Sequence, residues 1–160
     1  MIERSLVLIK PDGVQRGLIG KIISRFEDAG LKLVGMKLVW VDKAFAKKHY
    51  AEHVEKPFYP GLEAMITMGP VLAMVLEGVH AIEIIRKMVG PTEPRAAPPG
   101  TIRGDFAHVS YKYADKKGIS IKNLIHASDS EKTAKREIEL WFSKEELHSY
   151  KTVHDVHIIE

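Results

Sequence analysis

The stretch that most clearly indicates the fold is the apolar run Leu6-Val7-Leu8-Ile9, which is followed by Lys10-Pro11-Asp12-Gly13. Four consecutive apolar residues that end at turn-forming residues predict a buried central strand. The first residue after this strand is a lysine. We therefore expect the strand to form the middle of a sheet and to place a positive charge where the chain leaves it.

Outward from this strand, strand and helix patterns follow one another along the chain. Apolar residues at helical spacing from Ile19 to Ala29 predict a helix that ends at Gly30. The segment 91–105 is rich in proline and glycine and predicts a long ordered loop without regular structure. The other predicted elements are strands at 31–41, 71–76 and 120–127, and helices at 42–50, 61–68, 82–89 and 130–142. This order favours an α+β protein with a ferredoxin-like, four-stranded antiparallel sheet and helices packed on it.

Composition limits the class of protein. A length of 160 residues suits one compact domain over residues 1–160. No apolar run approaches the roughly 18 residues that a membrane span requires, and no secretory pattern stands at the N-terminus, so we expect a cytoplasmic protein without a membrane partner. Cysteine is absent, which excludes thiolate and disulfide chemistry. The net charge of +3 suits an anionic ligand, but no block of like charges indicates nucleic-acid binding.

A histidine, His126, lies at the end of the last predicted strand, directly before a helix. Unprotonated imidazole is a nucleophile near neutral pH, because the free ring titrates near pH ~6.5. In the following helix, Glu137 shares the apolar stripe of Ala134 and Trp141, so its carboxylate is expected to face inward and to orient the imidazole if it reaches it. The alternatives are a core histidine that binds a backbone carbonyl and a solvated glutamate.

Three cations from distant parts of the chain could bind phosphate. Lys10 follows the first strand, Arg86 lies in the helix before the proline-rich loop, and Arg103 lies within that loop, downstream of Thr92. Together they could neutralise a di- or triphosphate and stabilise a phosphoryl group in transfer. The alternative is that each is an ordinary surface charge. No P-loop, Rossmann fingerprint, nucleophile elbow or protein-kinase motif set is present.

These segments resemble the nucleoside diphosphate kinase family from about Arg4 to Leu147. The motif Asn123-Leu124-Ile125-His126-Ala127-Ser128-Asp129-Ser130 is similar to the family's active-site sequence, whose histidine the family phosphorylates. Four more segments match family motifs in the right order: Lys10 to Gly17, His49-Tyr50, Pro57 to Leu62, and Pro98 to Phe106.

The resemblance implies a role for each matching residue. Phe58 and Leu62 correspond to the family's base clamp, although core or subunit packing is the alternative for both. Ser128 and Glu137 correspond to residues that support His126. The family's phosphate and sugar contacts correspond to Lys10, which also acts in catalysis, and to Tyr50, Arg86, Thr92, Arg103 and Asn123.

The resemblance further implies ping-pong transfer of a terminal phosphoryl group from a nucleoside triphosphate to a diphosphate, with broad base specificity and a phosphohistidine intermediate. A Mg²⁺ ion would arrive bound to the nucleotide, since Mg²⁺ is typically held by substrate phosphates and water, and no metal site in the protein is expected. The family assembles as oligomers, so a homohexamer is expected.

Two segments are not settled by the resemblance. Residues 107–122 are longer than the matching segment of most family members; we expect a surface extension, or otherwise a subunit contact. The tail from His148 to Glu160 is expected to pack against a neighbouring subunit. His49, His53, His154 and His157 have helix-like spacings, but no carboxylate or cysteine set completes a metal site, and we treat them as non-metal.

Two other classes of protein fit parts of the pattern. A nucleic-acid-binding ferredoxin-like module would suit the fold, but the sequence lacks an aromatic RNA-binding signature and a basic stripe. A catalytically silent interaction protein would have no reason to keep His126, Glu137, Lys10 and Arg103 together. The salt dependence of oligonucleotide binding tests the first alternative, and phosphoenzyme formation tests the second.

Overall fold

The computed structural model describes all residues from Met1 to Glu160. Its strands are β1 (Ile2–Ile9), β2 (Lys32–Val39), β3 (Val71–Val79) and β4 (Ile125–Ala127). Its helices are α1 (Pro11–Gln15), α2 (Ile19–Asp28), α3 (Lys43–His49), α4 (Tyr59–Thr67), α5 (Ala81–Val89), α6 (Ile102–Phe106), α7 (Tyr111–Lys117), α8 (Glu131–Trp141) and α9 (Val153–Ile158). Short 3₁₀ helices span Pro94–Ala96 and Lys144–Glu146. None of the helices is both long and apolar enough to cross a membrane.

The four strands form one antiparallel sheet in the order β2-β3-β1-β4. β1 pairs with β3 along its whole length and with β4 on its other side, where Leu8 lies opposite His126. The predicted ferredoxin-like α+β fold is confirmed. Because β1 is central, the short strand β4 is held against the most buried strand of the sheet.

The end of β1 is buried on both faces of the sheet. Val7 and Ile9 pack with residues of α2 on one face, whereas Leu6 and Leu8 pack with Trp141 and other residues on the opposite face. A strand that is covered on both sides has no polar face, which explains the unbroken apolar run in the sequence. The prediction of a buried central strand is therefore confirmed.

The predicted fourth strand, 120–127, is too long. Only Ile125–Ala127 pair with β1, because Leu124 has a positive φ of 72° that an extended strand cannot contain. Its backbone N–H donates to the Asp12 carboxylate at 3.0 Å instead of joining the sheet. The chain therefore turns sharply just ahead of His126.

The prediction that 91–105 has no regular structure is wrong in part. A 3₁₀ helix spans Pro94–Ala96, and α6 begins at Ile102. The Thr101 hydroxyl caps α6 by accepting the Gly104 N–H at 3.0 Å. A threonine cap can start a helix of only five residues, too short to have a periodic apolar pattern.

The long segment and the tail both have regular structure. Within 107–122, α7 is tied to the preceding loop because the Tyr111 N–H donates to the Glu93 carboxylate at 3.0 Å. In the tail, Asp155 forms an ion pair of 3.1 Å with Lys32 of β2. The tail thus packs on its own chain, while Val156 remains exposed and a contact with a neighbouring subunit stays a prediction.

Candidate active site

The site is built around His126, the middle residue of β4. Its neighbours Ile125 and Ala127 are buried in the core on one face of the sheet. Successive side chains of a strand alternate between faces, so the imidazole points to the opposite face, where α8 packs. The His126 side chain is 28% exposed. The ring is therefore held by a rigid strand and remains accessible from outside.

Glu137 of α8 lies directly against this ring. Its side chain is 1% exposed, and Oε2 accepts a hydrogen bond of 2.5 Å from Nε2 of His126. A carboxylate accepts and does not donate, so Nε2 of a neutral His126 carries the proton and Nδ1 keeps its lone pair. The orienting contact that the sequence suggested is present in the structure.

Ser128 is buried but acts at the end of the strand, not on the ring. Its hydroxyl accepts the Leu6 backbone N–H at 3.2 Å, and its own N–H donates to the Leu6 carbonyl at 3.1 Å. These bonds extend the β1–β4 pairing past the strand end. Ser128 therefore fixes the backbone that carries His126.

Lys10, Asn123 and Thr92 form a connected group beside β4. Nζ of Lys10 donates to Oδ1 of Asn123 at 2.5 Å, and Nδ2 of Asn123 donates to the Thr92 carbonyl at 2.9 Å. Burial lowers the pKa of Lys10 to about 8; the nearby Asp12 carboxylate opposes this shift and Arg103 adds to it. A lysine that is poorly solvated in this way gains from an anionic ligand.

The two arginines bind backbone carbonyls around the same strand. Arg103 is 3% exposed and donates to the carbonyls of Asn123 (3.1 Å), Gly90 (2.9 Å) and Ile125 (2.6 Å). Burial lowers its pKa to about 10, and the positive charge of Arg86 lowers it further. Arg86 donates to the Ala127 carbonyl at 3.3 Å. Both guanidinium groups are thus fixed at β4, on either side of His126 in the sequence.

A chain of aromatic rings leads outward from His126. The ring centroids are 5.1 Å apart between His126 and His49, 4.6 Å between His49 and Tyr50, 6.4 Å between Tyr50 and His53, and 5.6 Å between His53 and Phe58. Burial raises the pKa of Tyr50, so its hydroxyl stays protonated. Phe58 is 54% exposed at the start of α4. The outer end of this row is an open apolar face.

Leu62 lies within α4, one helical turn after Phe58, and is partly exposed. Residues four apart lie on the same face of a helix start. The two apolar side chains predicted to clamp a base are therefore neighbours on one exposed surface.

His49, His126 and Glu137 are close enough to hold a metal ion, since one ligand atom from each lies within 4.8 Å of the others. Nε2 of His126, Oε2 of Glu137 and Nδ1 of His49 each have a hydrogen-bond partner already. Nε2 of His126 bonds Oε2 of Glu137, and Nδ1 of His49 accepts from the Trp141 indole at 3.1 Å. These bonds join His126 to Glu137 and His49 to Trp141, while Nδ1 of His49 and Oε2 of Glu137 lie 3.8 Å apart.

Comparison with known proteins gives the family. The family model described as nucleoside diphosphate kinase matches residues 3–147. The nucleoside diphosphate kinase of Pyrococcus horikoshii is 56% identical over 153 residues, which cover 96% of this chain and 93% of that protein. The chain belongs to the nucleoside diphosphate kinase family. It is accordingly an enzyme that transfers phosphoryl groups between nucleotides.

Solved structures of nucleoside diphosphate kinases share the whole fold. The enzyme from Borrelia burgdorferi, solved as a transition-state mimic with bound vanadate and ADP, has a TM-score of 0.95 and 46% identity over 98% of this chain and 96% of its own. The enzyme from Halobacterium salinarum in complex with CDP has a TM-score of 0.88 and 44% identity over 100% of both chains. The fold similarity therefore extends over nearly the whole chain.

Asp12 is a residue of this site that sequence reasoning missed. Its carboxylate is buried, one oxygen accepts the Leu124 N–H, and the other, Oδ1, has no hydrogen-bond partner. It therefore stabilises the left-handed residue that turns the chain from Asn123 toward His126. The available signal was its position in the turn directly after the central strand.

His49 and Trp141 were also missed as members of the site. In the sequence analysis, His49 is part of a matching motif and a non-metal histidine, and Trp141 is only an inward-facing residue of a helix. The structure places His49 edge-on to His126, with both His49 and Trp141 3% exposed. The available signal was the His49-Tyr50 motif, since a histidine next to a predicted substrate contact is itself close to the site.

Proposed function

We propose that the chain carries a phosphoryl group on Nδ1 of His126 and passes it from nucleoside triphosphates to nucleoside diphosphates in two half-reactions. One observation carries the proposal. The buried Glu137 carboxylate occupies Nε2 of His126 at 2.5 Å, which leaves the lone pair of Nδ1 available on a ring that is 28% exposed. A nucleophile oriented by a base-like partner is the arrangement that covalent catalysis requires.

In the first half-reaction, Nδ1 forms a bond to the γ-phosphorus while the bond from that phosphorus to the bridging oxygen breaks. The electron pair of that bond leaves with the nucleoside diphosphate. Positive charge develops on the ring, because Nε2 keeps its proton, and the Glu137 carboxylate stabilises this charge. The second half-reaction reverses these steps on a different diphosphate.

The cations supply the charge neutralisation that phosphoryl transfer needs. Lys10, Arg86 and Arg103 are held near β4 by bonds to Asn123 and to backbone carbonyls. Donors that are fixed before the substrate arrives need no reorganisation during the reaction. Thr92, Asn123 and Tyr50 would complete the contacts to phosphate and sugar.

An exposed aromatic ring supports broad base specificity. Phe58 and Leu62 present an apolar surface on α4, and any base can stack on a phenyl ring because every base has a π-face. The related enzymes hold a purine nucleotide, ADP, in one structure and a pyrimidine nucleotide, CDP, in another. We expect the same tolerance in this chain.

The charges of the site fit a Mg²⁺ ion that arrives on the nucleotide. The carboxylates nearest His126 and Lys10 are Glu137 and Asp12, and both are buried and bonded to protein donors. Lys10, Arg86 and Arg103, whose bonds hold them at β4, are cations and suit phosphate oxygens. The phosphates and water would therefore hold the ion, which would neutralise developing charge.

We further propose a homohexamer that works in the cytoplasm. Met36 and Leu38 are both more than half exposed and alternate along β2, the outer strand of the sheet. Apolar residues on one face of an edge strand favour contact with another subunit. Size-exclusion chromatography with light scattering measures the subunit number.

Labelling with γ-labelled ATP tests the chemistry. The wild-type protein should acquire a label that is acid-labile and alkali-stable, and a second nucleoside diphosphate should remove it. His126→Ala should remain unlabelled, whereas His148→Ala, which changes an exposed histidine of the tail, should label normally. A label that persists in His126→Ala, or that resides on a hydroxyl group, would exclude the mechanism.

A further inference from the structure

We propose that the indole N–H of Trp141 fixes the tautomer of His49 and thereby reserves the Glu137 carboxylate for His126. This inference rests on the proposed phosphorylation of His126. It makes His49 and Trp141 positioning residues, which act on the reacting ring through Glu137.

The Trp141 indole determines which nitrogen of His49 carries the proton. Nε1 of Trp141 lies 3.1 Å from Nδ1 of His49, with both residues buried. An indole N–H can only donate, so Nδ1 of His49 must accept with its lone pair. The proton of the neutral His49 ring is therefore on Nε2.

His49 and His126 both lie near the same oxygen of the Glu137 carboxylate. Nδ1 of His49 lies 3.8 Å from Oε2 of Glu137, the same oxygen that accepts from His126. A proton on Nδ1 would be a second donor aimed at this oxygen, whereas a lone pair offers none. The other oxygen, Oε1, is buried without any partner. His126 is therefore the only side chain that donates to the Glu137 carboxylate.

The surroundings of His49 disfavour a positive charge on its ring. Burial lowers the pKa of His49 well below its usual value, and the nearby cationic or protonatable groups lower it further. Only the Glu137 carboxylate favours the protonated ring. The groups that face His49 are His126 of β4, Arg136 and Glu137 of α8, Lys10 after β1, and Tyr50 and His53 after α3. His49 thus stays neutral in the pH range where His126 reacts.

The variant Trp141→Phe removes the indole N–H and keeps an aromatic ring beside Phe45, whose centroid is 4.7 Å away. Nδ1 of His49 can then carry a proton and compete for Glu137. The single-turnover rate of His126 phosphorylation should fall several-fold. It should also acquire an extra acid limb that lowers the rate about tenfold per pH unit below the new pKa of His49.

Two further variants separate this effect from a packing defect. Trp40→Phe makes the same change at the other tryptophan, whose indole donates to the Thr67 carbonyl at 2.8 Å, and should leave the pH profile unchanged. In His49→Leu/Trp141→Phe, both partners of the bond become apolar and no competing donor remains. This double variant should phosphorylate faster than Trp141→Phe alone, whereas a purely structural role predicts further loss.

Nitrogen-15 NMR of the wild-type histidines tests the tautomer without any variant. His49 should show the proton on Nε2 and should not titrate at pH ~6.5, the usual pKa of histidine. A proton on Nδ1, an unchanged pH profile in Trp141→Phe, or a double variant slower than the single one would each overturn the inference. Failure of wild-type His126 to accept a label would instead overturn the proposed function, since the tautomer is measured without phosphorylation.

Discussion

Two polar clusters lie around His126, and they are bonded differently. In the support cluster of Glu137, His49 and Trp141, side chains bond to side chains. In the cation cluster of Lys10, Arg86 and Arg103, the arginines bond mainly to backbone carbonyls, including those of β4. The support cluster therefore tunes the reacting ring, whereas the cation cluster also holds the strand on which the ring sits.

This difference in bonding predicts that substitutions in the two clusters change different measured properties. A change in the support cluster should lower the rate of phosphoryl transfer with little effect on nucleotide affinity. A change in an arginine of the cation cluster should lower stability and function together. Lys10 should be an exception within its cluster: its substitution should lower function with little loss of stability, because its one hydrogen bond is to the Asn123 side chain.

The largest expected effect is that of Glu137→Gln. The amide keeps the shape of the side chain but loses the charge that stabilises the phosphorylated ring, so the single-turnover rate should fall about 10²- to 10³-fold. The KM for the nucleotide should stay within about twofold, since the buried Glu137 carboxylate bonds only the His126 ring. Glu139→Gln, an exposed neighbour on α8, is the matched control. A rise in KM without loss of rate would show that Glu137 contributes to nucleotide binding and not to the reactivity of His126.

Arg103→Lys should have the next largest effect, on stability. The ammonium keeps the charge but cannot reach the carbonyls of Asn123, Gly90 and Ile125 together, so buried carbonyls lose their donors. We expect the free energy of unfolding to fall by about 2–3 kcal/mol, measured by urea denaturation. Arg95→Lys, at an exposed arginine, should change it by less than about 0.5 kcal/mol. Equal stability of Arg103→Lys and Arg95→Lys would contradict the claim that the bonds from Arg103 to backbone carbonyls stabilise the fold.

The pH dependence of nucleotide binding tests Lys10. Its pKa of about 8 in the free enzyme means that the ammonium loses its proton above this pH, while bound phosphate favours the charged form and raises the pKa. Binding should therefore take up a proton above pH 8, and Kd should rise by up to about tenfold per pH unit there. Below pH 8 the lysine is charged in both states and no uptake is expected.

Calorimetry in buffers with different ionisation enthalpies measures this uptake. Lys10→Met should bind nucleotide more weakly below pH 8 and should lose the uptake near pH 9. The substrate phosphates are already ionised in that range, because their last pKa lies near ~6. Equal uptake in wild type and Lys10→Met would assign the proton to another group.

The sequence predicted the parts of this comparison that depend on local pattern. The unbroken apolar run of Leu6 to Ile9 predicted the central strand, and the stripe that includes Glu137 predicted an inward-facing carboxylate. The left-handed Leu124 escaped prediction because its bond to Asp12 joins residues 112 positions apart in the chain. The carbonyl partners of Arg103 come from two separate segments, Gly90 after α5 and Asn123 and Ile125 at β4, and have no sequence signature.

The smallest expected effect is that of Ser128→Ala, which tests where the support cluster ends. Ser128 is two residues from His126, yet its hydroxyl bonds the Leu6 backbone and forms no hydrogen bond with the ring. The variant should lose about 1 kcal/mol of unfolding free energy, because a buried N–H loses its acceptor, and should keep its rate within about threefold. Ser24→Ala, whose exposed hydroxyl bonds the Gly20 carbonyl, is the control. If Ser128→Ala slowed phosphorylation as strongly as Glu137→Gln at unchanged stability, the serine would act on the ring and would belong to the support cluster.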